Sequence, residues 1–144
     1  MNLSGTSPKL TDEERQKLVD AGQVSIFNSG DVIIAEGDSV DTLMFIKSGN
    51  IRVTCAFLDN LNAEFAGPLG PGEVVGEMSF MDGQGASASL IADGQTEILK
   101  IPRETVFSMI NADNCFAARF YESLFLDLAR KLRSTIQRVL PVAP

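Results

Sequence analysis

Gly76-Glu77-Met78-Ser79-Phe80-Met81, followed by Asp82-Gly83-Gln84-Gly85 and then Ala86-Ser87-Ala88-Ser89-Leu90-Ile91-Ala92, carries the strongest structural signal in this chain. The glycine-led turn predicts one helical turn, a loop of small residues and a strand. A chain that enters a helix this way leaves the first N–H groups unpaired and aimed at whatever lies in front of them, which suits an anion. Glu77 is then the polar specifier of that pocket.

Outward from this stretch the pattern is of short strands. Before it, Thr11-Asp12-Glu13-Glu14 reads as a capping box opening a helix through Leu18, Val19 and Ala21, which Gly22 ends. From Val24 the apolar period becomes two: Val24, Ile26, Val32 and Ile34 alternate with polar or small residues, with turns at Asn28 to Asp31 and at Gly37-Asp38. Leu43 to Ile46 and Ile51 to Phe57 flank Ser48-Gly49-Asn50, a hairpin signal. Asn62 to Leu69 supplies another strand, and Gly70-Pro71-Gly72-Glu73 forces a turn. Past the opening stretch, Ala86 to Ala92 and Gln95 to Ile101 predict a second hairpin across Asp93-Gly94. Pro102 then suits a first helical position for a short helix through Val106, Phe107, Met109 and Ile110. A long helix over about 115–140 follows, stopped by Pro141. The expected class is mainly β with flanking helices: two sheets covering each other's apolar faces, a sandwich or jelly roll.

Composition narrows the function classes. At 144 residues and 44% hydrophobic the chain suits one domain with a core. A formal charge of -7 opposes nucleic acid as a partner of the body, although the last thirty residues are locally basic (five basic, two acidic). Cys55 and Cys115 stand far apart without a CxxC and are read as free thiols, neither bridge nor zinc site. No apolar run approaches the roughly 18 residues of a spanning helix, and residues 1–8 have neither the basic head nor the apolar stretch of a signal peptide, so the expected location is cytoplasmic, away from membranes. Histidine is absent, which removes the commonest general base and metal ligand; an enzyme is not expected, and no metal.

In order along the chain, Gly30-Asp31-Val32-Ile33, Gly37-Asp38, Asp41, Leu43-Met44-Phe45-Ile46, Gly49-Asn50-Ile51, Gly70-Pro71-Gly72-Glu73 and Gly76-Glu77 resemble the cyclic nucleotide-binding domain family, seen in the catabolite activator protein and the protein kinase A regulatory subunit. The resemblance covers about residues 10 to 140. It implies a double-stranded β-helix, or jelly roll, of about eight strands with one N-terminal and two C-terminal helices. The expected partition is a flexible N-terminus over 1–9, the domain over 10–140 and a tail over 141–144.

In that family a phosphate cassette runs from a Gly-Glu pair, whose acid holds the ribose hydroxyl, to an Arg-Ser/Ala-Ala motif that grips the cyclic phosphate. The resemblance therefore implies a ligand-binding set of Gly76, Glu77, Met78, Ser79, Ala86, Ser87 and Ala88, with cAMP or cGMP as the ligand. Glu77 and Ser87-Ala88 match; the arginine position, nine residues after Glu77, holds Ala86. Removing one partner of a buried charge pair costs about 2 to 5 kcal/mol, roughly 30-fold to several thousand-fold in affinity. Arg52 and Lys100 bracket a segment with no lysine or arginine and seven acids, so the local field repels a phosphate. A helix terminus contributes at most about 2 kcal/mol and does not replace a guanidinium fork. Rescue requires Arg52 or a basic residue of the last helix. Cyclic nucleotide binding is expected to be weak or absent.

The last helix carries Tyr121, Phe125, Leu128, Leu132, Thr135 and Val139 at heptad spacing, beside a second apolar stripe of Phe116, Phe120 and Leu124. One stripe suffices to cover a barrel, so the other predicts a homodimer through this helix. Arg130, Lys131, Arg133 and Arg138 are read as complementing the helix's negative end on a solvated face. Met78, Phe80 and Met81 are read as core. Three functions follow. The first is a regulatory module that senses a small-molecule ligand and signals through the last helix to an effector, either on a partner chain or in a larger protein of which this chain is a piece. The second is a degenerate scaffold of the same fold for dimerisation or protein interaction, without a ligand. The third, a cupin-type enzyme, fails for want of histidine.

Overall fold

The computed structural model describes residues 8–55 and 69–139. Thr11 opens helix α1 (Asp12–Asp20) with both halves of the capping box: its hydroxyl accepts from the Glu14 amide, and the Glu14 carboxylate accepts from the Thr11 amide. Strands β1 (Gln23–Phe27), β2 (Val32–Ile34), β3 (Thr42–Thr54), β4 (Val74–Val75) and β5 (Ser89–Pro102) form one antiparallel sheet in the order β1-β5-β3-β4, with β2 also on β5. Helix α2 (Glu77–Asp82) separates β4 from β5, and α3 (Arg103–Ala112) and α4 (Asn114–Val139) follow the last strand.

Two expected hairpins are not hairpins. Ser48-Gly49-Asn50 lies inside β3 and Asp93-Gly94 inside β5, and these strands pair with each other from Thr42↔Pro102 to Thr54↔Ser89. The register slips between Ile46 and Ser48 and again between Ser48 and Asn50, so the glycines make a bend in a ribbon and the chain does not reverse. Gly49, at φ +88°, sits so close to the facing strand that a Cβ would lie 2.5 Å from the Gln95 carbonyl oxygen. Buried Thr96 fixes the bend by donating to the carbonyls of Asn50 and Gly94, each at 3.1 Å. Bent in this way, β3 and β5 each supply two arms of a roll. Five strands are present among the described residues, against the eight expected; residues 62–68 of one expected strand, and Ala56 and Phe57 of another, lie outside them. So do residues 1–7 and 140–144.

Of the four period-two residues three are not where alternation suggests, and Ile34 is. Val24, Ile26 and Val32 are exposed, Ile26 at 64%, and Phe27 and Ile34 turn toward the core. That core is built from Phe45, Ile46, Ile51, Ile98 and Ile101 on the central ribbon, closed by Val74, Val75 and Phe80. Pro102 caps α3 from outside and is not its first residue. Along α4 the stripe Phe116, Phe120 and Leu124 is buried against the domain, while Tyr121, Phe125 and Leu132 of the other stripe are exposed. The side chain of Val139 lies outside the described residues.

Candidate functional site

Gly76 ends β4 and caps α2 with φ +70°, a left-handed backbone that favours glycine. Space makes the same demand, because a Cβ there would meet Ile34 Cδ1 and Met44 Cε at 3.2 Å each. The turn drops Glu77 into the interior beside a cavity of about 250 Å³. Every residue of the expected ligand set, Gly76, Glu77, Met78, Ser79, Ala86, Ser87 and Ala88, lines that cavity. Ile34, Val53, Leu69, Val75 and Leu90 add apolar walls from the strands. Met78 is half exposed at this surface, not packed in the core as expected, while Phe80 and Met81 do join the core.

Across the cavity stands α4, whose Leu128, Lys131, Leu132 and Thr135 complete the lining. Lys131 is the basic residue of the last helix that reaches the site. Its Nζ lies 3.0 Å from Glu77 Oε1 and 3.0 Å from Asp127 Oδ2, and it also donates to the Val74 carbonyl. The three side chains are 13%, 6% and 1% exposed. The Asp127 oxygen is close enough for an ion pair but is not aligned for a hydrogen bond. Asp127 Oδ1 accepts from Arg130 at 2.9 Å, and Arg130 lies 3.4 Å from Glu73. Lys131 therefore joins the roof helix to the cavity wall, and Arg130 joins it to the turn before β4, so neither merely solvates a helix end. Arg52, the other expected source of rescue, is exposed on β3 and outside the lining.

The expected site set held none of these four α4 residues, although Leu128, Leu132 and Thr135 stood on the expected dimer seam and Lys131 is a basic residue of the helix from which rescue could come. A signal was present: Phe116, Phe120, Ser123 and Leu124 make the buried stripe, and continuing it by its own period reaches Asp127 and then Lys131. Both cysteines are free, Cys115 exposed and Cys55 partly buried. No group of acids and cysteines among the described residues could hold a metal, and no described helix is long and apolar enough to cross a membrane.

Fold and site together define a β-roll domain with a helix-roofed cavity behind a glycine-capped turn. The chain belongs to the cyclic nucleotide-binding domain family, whose sequence profile matches residues 24–113. It is 33% identical to the Cyclic AMP receptor protein of Thermus thermophilus over 124 residues, 86% of this chain and 55% of that protein. The crystal structure of the Thermus thermophilus Catabolite Activator Protein superposes with a TM-score of 0.74 at 31% identity, over 90% of this chain and 59% of that one. A cyclic nucleotide-binding domain from Methylobacillus flagellatus shares the fold with a TM-score of 0.83 at 23% identity, over 99% and 84%. The chain thus spans about half the length of the Thermus relative.

Proposed function

We propose that this chain is a regulatory ligand-sensing module in which occupancy of the cavity biases the packing of α4. One observation carries the reading: α4 supplies both cavity-lining residues and, through Lys131, the ion pair to Glu77 at 3.0 Å. A ligand that touches Glu77 must strengthen, break or replace that contact, and so acts differently on the two positions of the helix. The module does no chemistry of its own. It works in the cytoplasm, where its unpaired cysteines suit a reducing compartment, and passes its state to an effector protein; its net charge of -7 opposes DNA as a partner of this domain.

In this reading cAMP and cGMP bind weakly or not at all, because Ala86 replaces the arginine that the family resemblance places against the phosphate. Titration calorimetry with both nucleotides, paired with hydrogen exchange along α4, tests it. Millimolar or absent binding is the expected result, and micromolar binding overturns this part. The sensing role itself fails if no cavity ligand changes amide protection in α4.

The second reading, a scaffold without a ligand, draws on the exposed stripe of α4, with Phe125 at 69% and Leu132 at 61%. Such a stripe supports a homodimer through this helix. The open cavity favours the sensing role over a pure scaffold, because a site abandoned by ligands is free to fill with side chains. Dimerisation and sensing are compatible, since Leu132 belongs both to the stripe and to the cavity lining.

A further inference from the structure

We infer that the cavity takes an uncharged, mainly apolar small molecule that donates a hydrogen bond to Glu77, and that it disfavours anions. The inference rests on the reading of this cavity as the ligand site. Among the described residues Lys131 is the lone cationic one lining it. Its ammonium already donates to Glu77 Oε1 and the Val74 carbonyl and is ion-paired with Asp127 Oδ2 at 3.0 Å. A phosphate, sulfonate or carboxylate entering here must displace a buried carboxylate from its cation, and then faces it unpaired. Around the roof contact Glu73, Glu77 and Asp127 outnumber Arg130 and Lys131, which leaves the cluster one charge negative.

The opposite corner offers an anion nothing better. The Ala86 amide donates to the Asp38 carbonyl at 2.8 Å, and the Ala86 carbonyl accepts from the Gly37 amide at 2.8 Å. Gly85 packs so close to Gly37 that a Cβ would lie 2.7 Å from its carbonyl oxygen. The backbone at this corner is thus bonded to its neighbouring loop. The Thr135 hydroxyl donates to the Lys131 carbonyl at 2.9 Å and is likewise engaged. The side-chain groups that remain toward the cavity are acceptor capacity on Glu77, hydroxyls on Ser79 and Ser87, and walls of Ile34, Val53, Leu69, Val75, Leu90 and Leu132. Few polar groups in an apolar concavity select orientation more than charge. The volume, about 250 Å³, suits a ligand of two or three rings.

A matched pair of probes tests this on the full chain: phenylnaphthylamine, neutral with one N–H, and anilinonaphthalene sulfonate, the same frame carrying an anion. Methyl NMR of Ile34, Val53 and Leu90 reports the cavity, and methyls of Leu126 and Ile136 report the outer surface of α4. The expected result is that the neutral probe shifts the cavity methyls and binds there at least tenfold more tightly than the sulfonate. Ala86→Arg is expected to narrow or reverse that order. The inference is overturned if the sulfonate binds the cavity as tightly as the neutral probe, or if the neutral probe leaves the cavity methyls unmoved. Hydrogen exchange separates the two readings. Neutral binding without altered protection of α4 sinks the sensing role and keeps the ligand class, whereas preferred binding of the anion with altered protection does the reverse.

Discussion

Lys131, near the end of the longest helix, pairs at 3.0 Å with Glu77, the first residue of the shortest, across 54 positions of sequence. Both groups are almost wholly removed from water, and Asp127 shares the same ammonium. Removing one member of a buried pair costs about 3–5 kcal/mol, because the remaining charge keeps its desolvation penalty. Lys131→Met is therefore expected to lower stability by about that amount. Urea denaturation checks it, and Lys131→Met with Glu77→Gln and Asp127→Asn should recover much of the loss. An unchanged midpoint for the single variant would show that α4 does not hold this contact in solution.

Ala86→Arg should raise cAMP affinity at least tenfold. Glu77 and Ser87 already line the cavity with Ala86, so the substitution returns the one charged partner the phosphate lacks. The gain follows from about 2 to 5 kcal/mol for a buried charge pair. Calorimetry on the folded variant measures it. No gain would mean that the loop held by the hydrogen bonds of Ala86 to Gly37 and Asp38 cannot open for the longer side chain.

The family was legible because its signature lies in glycines whose demands are local. Gly30, Gly37, Gly49, Gly72 and Gly76 all adopt positive φ, and their spacing is visible without knowing what they pack against. The same residues misled on topology. Ser48-Gly49-Asn50 has the composition of a hairpin turn, and only the facing strand, with Thr96 bonded across it, makes it a bend. The cassette half of the cavity lining was equally legible. The roof half was not, since which face of α4 meets the cavity depends on a long-range contact. Asp127 and Lys131 look like ordinary surface charges until the buried stripe is extended onto them.

The bend itself can be tested. Gly49→Ala meets two penalties: a left-handed backbone at φ +88° and a Cβ 2.5 Å from the Gln95 carbonyl oxygen. Gly30→Ala meets the first alone, at φ +89° with nothing within 4 Å. Left-handed backbone costs an alanine about 1–2 kcal/mol, so Gly30→Ala should lose about that much and Gly49→Ala clearly more. Equal losses in denaturant melts would show that the close approach at Gly49 relaxes freely.

Acid should loosen α1 from α4. Arg119 binds Glu14 through two hydrogen bonds, at 2.9 and 2.6 Å, and with the Thr11 amide this holds the Glu14 carboxyl down at about 2 from an ordinary 4.5, against the opposing effect of burial. A carboxylate whose folded value is depressed adds stability that is fully present above its unfolded value and is lost as pH falls through the folded one. The contribution should hold above about pH 4.5 and fade between there and about pH 2. Comparing urea midpoints of wild type and Glu14→Gln isolates it: the gap should close across that window. A constant gap would assign the contact no role in acid stability.

Dimerisation through α4 is best probed at Phe125, which is 69% exposed and is not among the residues lining the cavity beside Glu77, unlike Leu132. Tyr121, one turn earlier on the same stripe, is also exposed. Two such aromatic residues at heptad spacing gain by facing a second copy and lose little as a monomer's surface. Phe125→Glu places a charge at the centre of that contact while leaving Phe116, Phe120 and Leu124, the stripe that holds α4 to the domain, untouched. Sedimentation is expected to show a dimer for the wild type and a monomer for the variant, with matching thermal melts at low concentration. A wild type that stays monomeric at high micromolar concentration removes the homodimer, and leaves the exposed stripe for an effector to cover.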